Sequence, residues 1–330
     1  MITHEAWTHT MNRRVIGDLL HRLARRVTPE HEAPQTQVHE PMIPTPEPTA
    51  PELLRAPFDA DKVAQFHAAL AGEGSMADFI DFVVTQLLPR DHKSLFWGDR
   101  LLTIDKSAGF LEEPAFQAAF ARVLGAHRYD QYASSVTIAW RLHTLIWAAR
   151  VALTLPAGDF VECGVFKGDM AWMVSEVTGL MTTGRQFHLY DSFAGFDPAQ
   201  TTQEDFPELP GFLAYANAIY AADGLWDGVQ ARFRHTPHIH LHKGYLPDTL
   251  DRDGFPAQIA YLHIDLNVAS AEIACLDRLF DRMVPGAPIV FDDYGWKVFH
   301  RQKVAADTFF QERGYHVLEL PTGQGLVIKR

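Results

Sequence analysis

The stretch DFVECGVFKG, Asp159–Gly168, decides the fold. An apolar run closes on Glu162 and is followed by Gly164 and Gly168, then by the helical pattern DMAWMVSEVTGL. A strand, a glycine loop and a helix in that order form the first half of a parallel α/β unit. In open α/β sheets, ligands sit beyond the carboxyl ends of the strands. Gly164 has no side chain, so a ligand can approach the backbone there, and Gly168 permits a tight entry into the helix.

Outward from this segment the texture repeats. Short apolar runs at 159–163, 187–191, 238–242, 259–265 and 288–292 predict strands, and helices are predicted at about 169–180, 269–283 and 301–313. The closing YHVLELPTGQGLVIKR reads as two strands about a tight turn. The expected fold is a Rossmann-like α/β domain, a seven-stranded, mostly parallel sheet ending in an antiparallel hairpin, over residues 156–330. A helical accessory region is expected at 58–155. Residues 1–57 read as a basic amphipathic helix at 11–27 followed by a Pro-rich linker.

The chain has 330 residues, 47% of them hydrophobic, and a formal net charge of −12. That balance argues against nucleic acid as a partner, because phosphate backbones need a basic footprint. Two cysteines, Cys163 and Cys275, support neither a disulfide framework nor a zinc site and suit a reducing cytoplasm. No apolar run is long enough for a membrane span, and the polar, His-rich start lacks a secretory pattern.

The spacing E-x-G-x-x-x-G differs from the G-x-G-x-x-G of dinucleotide sites, and this disfavours a nicotinamide-dependent oxidoreductase. It suits S-adenosylmethionine (SAM), which has no pyrophosphate and whose cationic sulfonium and amino-acid end favour a carboxylate such as Glu162. In HLYDSFAGFD, Asp191 ends the next strand, where an acid can accept the ribose hydroxyl hydrogens, with Ser192 beside it. In HLHKGYLPDTL, Lys243 and Gly244 are candidates for the adenine side.

Two further strand ends carry acids, Asp265 in IAYLHIDLN and Asp292 and Asp293 in APIVFDDYGW. Three carboxylates on one rim repel each other, and a divalent cation, Mg2+ or else Ca2+ or Mn2+, is the simple remedy. Asp292 and Asp293 can both ligate only if their strand has already ended. Asp265 would act at the reacting centre. His300 is the candidate general base and His263 the second. The aromatic-rich segment 201–227 reads as a substrate-facing lid or as a small helical insertion.

These motifs resemble the macrocin/mycinamicin-type sugar O-methyltransferases, class I SAM-dependent enzymes. The resemblance runs from about Ser134 to Arg330 through VECGVFKG, DSFAGF, KGYLPDTL and FDDY. It implies O-methylation of a sugar or other small-molecule hydroxyl with SAM and Mg2+, the metal at Asp265, Asp292 and Asp293. It also implies cofactor contacts from Thr137 and Arg141 in TIAWRL. One departure stands out: DLNVASA occupies the place of the family's DGDLYES, so Asn267 replaces the second acid. A noncatalytic SAM- or nucleotide-sugar-binding partner in a biosynthetic assembly is the alternative function. A homo-oligomer meeting around Trp140 and Trp147 is a further expectation.

Overall fold

The computed structural model describes residues 95–99, 101–126, 138–207 and 209–330. The expected helix at 11–27, the linker, the helical stretch up to residue 94 and Thr137 lie outside them. Of the described residues, Leu95 and Thr103–Ser107 belong to a first compact unit. Phe96–Leu102 and Ala108–Arg330 belong to a second, which holds every site residue discussed below. Among the described residues, no helix is long and apolar enough to cross a membrane.

The chain opens with two short strands, β1 (Leu95–Gly98) and β2 (Leu101–Ile104), on either side of Asp99, and two helices, α1 (Pro114–Ala126) and α2 (Ala139–Leu153). Strand β3 (Asp159–Cys163) leads to α3 (Asp169–Thr178), and β4 (Phe187–Asp191) to α4 (Phe212–Tyr220) and α5 (Leu225–Phe233). Strand β5 (Ile239–Lys243) is followed by α6 (Asp248–Asp253), and β6 (Ile259–Ile264) by α7 (Ala269–Leu279). Strand β7 (Pro288–Phe291), α8 (His300–Gln311) and the hairpin β8 (Leu318–Glu319) and β9 (Gly325–Ile328) complete it.

The main sheet has seven strands in the order β5-β4-β3-β6-β7-β9-β8. Its first five strands are parallel, and β9 pairs antiparallel with β7 and β8, as the sequence predicts. The central strands are covered on both faces, so they read as continuous apolar runs. All six residues of β6 are buried. On one face Val161, Cys163 and Leu262 pack with Cys275 and Leu276 of α7 and Phe309 and Phe310 of α8. On the other, Phe160, Tyr261 and Val290 meet Leu145, Ala148 and Ala149 of α2 and Val174 of α3. Small residues along α2 let it lie close to the sheet, so this helix from the predicted accessory region shares the core of the α/β unit. Cys163 and Cys275 meet in that core as free thiols. A hydrogen bond that its S–H donates to Cys275, together with burial, pushes the Cys163 thiol well above its ordinary range. Trp140 packs edge-on to Phe96 and Phe110, while Trp147 is exposed.

Three histidines share one face at the β4–β5 edge. His188 lies opposite His240, and its Nδ1 is 3.1 Å from Nε2 of His242. Burial and the two neighbouring imidazoles lower His188 from its ordinary 6.5 to about 4. The folded chain therefore binds fewer protons than the unfolded chain between those values, and stability rises with pH there. The contribution is complete above about 6.5 and is lost as pH falls toward 4. Chemical-denaturant unfolding of the parent and of His188→Gln across this range is expected to show a shallower pH slope for the variant. Equal slopes would contradict this assignment.

Candidate active site

The ends of β3, β4 and β6 converge on one rim. Asp265 donates its backbone N–H to the Cys163 carbonyl (2.8 Å), and Gly164 donates to the Tyr190 carbonyl (2.9 Å). Gly164 has φ +90°, and a Cβ there would stand 1.9 Å from the Asp265 carbonyl oxygen. Glycine is thus demanded by the crossing of two strand ends. Gly168, φ +76°, caps α3, and a Cβ on it would strike the Phe233 ring at 2.5 Å. The loop between these glycines is held by Asp191. Its Oδ2 accepts the Val165 (2.7 Å) and Phe166 (2.8 Å) N–H groups, and Oδ1 accepts that of Phe193 (2.6 Å). Ser192 closes the following turn by donating to the Gly195 carbonyl (2.6 Å).

A cleft opens over this rim, lined among others by Gly164, Phe166, Asp191, Ser192, Asp265 and Asn267. Thr201 and Tyr220, from the aromatic insertion, form part of its wall, and that insertion carries α4 and the start of α5. Gly244 reaches the site through its backbone, donating to the Asp191 carbonyl (2.9 Å). Lys243 is exposed, its Nζ 5.2 Å from the centre of the Trp226 ring. The next two residues, Tyr245 and Leu246, are the ones that line the cleft. Sequence reading missed Tyr220 and Tyr245; their only signal was adjacency to a predicted lid and a predicted cofactor turn.

Beneath the rim runs a chain of buried charges. Glu162 and His263 are both buried, facing each other from β3 and β6, with Oε2 and Nδ1 3.0 Å apart. His263 Nε2 points toward Asp292 Oδ1 at 3.9 Å, beyond hydrogen-bond length, so that attraction is electrostatic. Burial disfavours the imidazolium, yet Asp292 and Glu162 outweigh it and hold His263 at about 10. A histidine held cationic and sealed from solvent is no general base, which corrects the second base candidate. Burial raises Glu162, partly countered by His263. Glu162 is therefore turned into the sheet toward His263. Burial also opposes ionisation of Asp292, but Arg141, His263 and Gln324 prevail and hold it below the ordinary range.

Strand β7 ends at Phe291, so Asp292 and Asp293 both lie past it, as their joint use requires. Arg141, on α2, donates to Asp292 Oδ2 (2.5 Å), to Asp99 Oδ2 (2.5 Å) and Oδ1 (3.1 Å), and more weakly to Asp293 Oδ1 (3.5 Å). Burial and the Asp292 charge raise Asp293 to about 7. Burial and the charges of Asp292 and Asp293 raise Asp265 well above the carboxylate range. Arg141 is thus engaged with carboxylates, whereas the sequence placed it on the cofactor. His300 is exposed at the first position of α8 and is not among the residues lining the cleft. Replacing His263 with Leu strands Glu162 and Asp292 without their shared cation. Urea unfolding is expected to show a loss of about 3–5 kcal/mol; a loss within about 0.5 kcal/mol, typical of a surface change, would contradict the buried charge chain.

The macrocin-O-methyltransferase (TylF) family profile matches residues 111–317. No curated protein matches the chain. Among solved structures, the O-methyltransferase NovP is 19% identical over 57% of this chain and 79% of its own, with a TM-score of 0.46. CalS11, a calicheamicin methyltransferase, is 17% identical over 68% and 93%, with a TM-score of 0.47. The O-methyltransferase TomG from Streptomyces achromogenes is 14% identical over 66% and 91%, with a TM-score of 0.39. The family match spans more than half of the chain, from α1 to the start of the terminal hairpin, so the chain belongs to the macrocin-O-methyltransferase (TylF) family and is a SAM-dependent O-methyltransferase.

Proposed function

We propose that the chain methylates a hydroxyl of a sugar or sugar-bearing small molecule, with SAM bound in the cleft over β3, β4 and β6. The observation that carries the cofactor placement is the cleft lined by Gly164, Asp191, Ser192 and Asp265 at the ends of β3, β4 and β6, beside a loop whose fold Asp191 fixes. The acceptor class follows the family, whose namesake acts on macrocin.

The residues present suit the cofactor. When bound, SAM supplies an electrophilic methyl group on its sulfonium. Gly164 and the Val165–Phe166 backbone form the floor of its site. Oδ2 accepts two bonds and Oδ1 one, so Asp191 can hold its loop and still accept from one ribose hydroxyl at Oδ1. Gly168 and Gly244 shape the two turns that border the site. Tyr220 and Tyr245 supply apolar walls that keep water from the reacting centre. Asp265 is the carboxyl that the end of β6 brings to the cleft, with Asn267 Nδ2 3.4 Å from its Oδ1. It is placed to accept the hydrogen bond of the acceptor hydroxyl and aim that oxygen at the methyl group.

The residues expected to hold Mg2+ do not suit it as arranged. Both oxygens of Asp292 are engaged, Oδ2 by Arg141 and Oδ1 by Gln324 Nε2 (2.9 Å). Among the described residues, no three His, Cys, Asp or Glu side chains stand in a geometry that could hold a metal ion.

Calorimetric titration of the full chain with SAM tests this reading. Binding is expected, and Asp191→Ala is expected to weaken it about tenfold or more, a loss of ~1.4 kcal/mol. Asp265→Asn is expected to leave SAM affinity near the parent value while slowing transfer to a sugar acceptor about 10²–10⁴-fold. A folded sample that takes up no SAM would overturn the cofactor placement. Undiminished transfer by Asp265→Asn would remove that carboxyl from the reaction.

A further inference from the structure

We infer that Arg141 is the resident cation of the Asp292–Asp293 rim and excludes a divalent ion from it. Carboxylates beyond adjacent parallel strands need a compensating charge, because bringing them together out of water is costly. In this chain the compensation comes from the protein. The Arg141 guanidinium lies between Asp99 on one side and Asp292 and Asp293 on the other.

The arginine is held in place as well as paired. Its carbon Cζ lies 5.4 Å from the centre of the Trp296 ring, a cation–π distance. Gln324 Nε2 bonds Asp292 Oδ1 at 2.9 Å and approaches the Arg141 backbone carbonyl at 3.4 Å, tying β9 to α2 across the same cluster. On the far side of Asp292, His263 Nε2 stands 3.9 Å from Oδ1.

Mg2+ requires oxygen ligands at about 2.0–2.1 Å in near-octahedral array. Each Asp292 oxygen already accepts a bond, Oδ2 from Arg141 and Oδ1 from Gln324, so a divalent ion there would share its carboxylate with a guanidinium. Two cations about 4 Å apart repel strongly when partly shielded from water. Moving Arg141 aside would also leave Asp99 and Asp292 without their partner. Asn267 is consistent with this arrangement: where the family pattern has an acid, the chain has a neutral amide whose nitrogen faces Asp265. The charge of the segment after β7 is therefore set by the protein. For the reaction, this implies transfer that needs no added divalent ion, a consequence that rests on the methyl-transfer reading above.

The test uses the full chain freed of metal by chelation. Mn2+ is titrated in and its free fraction read by electron paramagnetic resonance, with SAM calorimetry run in parallel with and without EDTA. The expected result is an unchanged free-Mn2+ signal and SAM heats indifferent to EDTA. Stoichiometric Mn2+ uptake by the parent chain that disappears in Asp293→Asn would overturn the inference. Arg141→Met, if it folds by circular dichroism, is expected to gain Mn2+ affinity at least about tenfold as the carboxylates are released. A folded Arg141→Met with no gain would refute exclusion by the arginine. Absence of SAM heat in both conditions, with the Mn2+ result as expected, would defeat the cofactor placement and leave the cation assignment standing.

Discussion

The ends of β3 and β6 meet backbone to backbone at Gly164 and Asp265, and the site depends on that contact. The Asp265 N–H reaches the Cys163 carbonyl at 2.8 Å, extending the parallel ladder one step past both strands. A side chain at Gly164 would collide with the Asp265 carbonyl. The contact fixes the distance between the cofactor loop and the carboxyl that the end of β6 brings to the cleft. From there the Asp191 carboxylate, one strand over, fixes the loop itself. The site is thereby preorganised by backbone and by one side chain before any ligand arrives, which limits what binding must order.

Below this surface, charge is handled in pairs. Glu162, His263, Asp292, Arg141 and Asp99 alternate in sign from the middle of the sheet to the β1–β2 turn. Each acid has a base beside it and each base an acid, so the row persists in surroundings where a single charge would be costly. Such a row stabilises little relative to an apolar core, but removing one member leaves its neighbours exposed to the full desolvation cost. Its value to the fold is positional: it links β3, β6, the segment after β7, and α2.

The sheet was legible in the sequence because its strands are buried on both faces and therefore appear as short apolar runs. The ranges of β3 and β4 coincide with those read from the sequence, and β5 starts one residue later than expected. Gly164, Asp191, Ser192 and Asp265 were legible because they end strands, where ligands of open α/β sheets bind, and all four line the cleft. Glu162 was harder to read. Strand alternation gives two faces, and only the partner strand reveals that His263 waits on one of them. The aspartates after β7 suggested a metal because like charges gathered on a rim need a cation; that the cation is Arg141 depends on how α2 packs over the sheet, which periodicity does not encode. Tyr220 reached the site through an insertion whose helices carry no motif.

The central claim is that the rim at Gly164, Asp191 and Asp265 holds the cofactor. A crystal structure of the full chain grown with S-adenosylhomocysteine tests it most directly. The account predicts density for the nucleoside over the Gly164–Phe166 loop, with a ribose hydroxyl on the Asp191 carboxylate and its sulfur turned toward Asp265. Density for the ligand elsewhere, for instance in the cleft lined by Arg122, Trp172 and Arg232, with the Gly164 rim left to solvent, would contradict it.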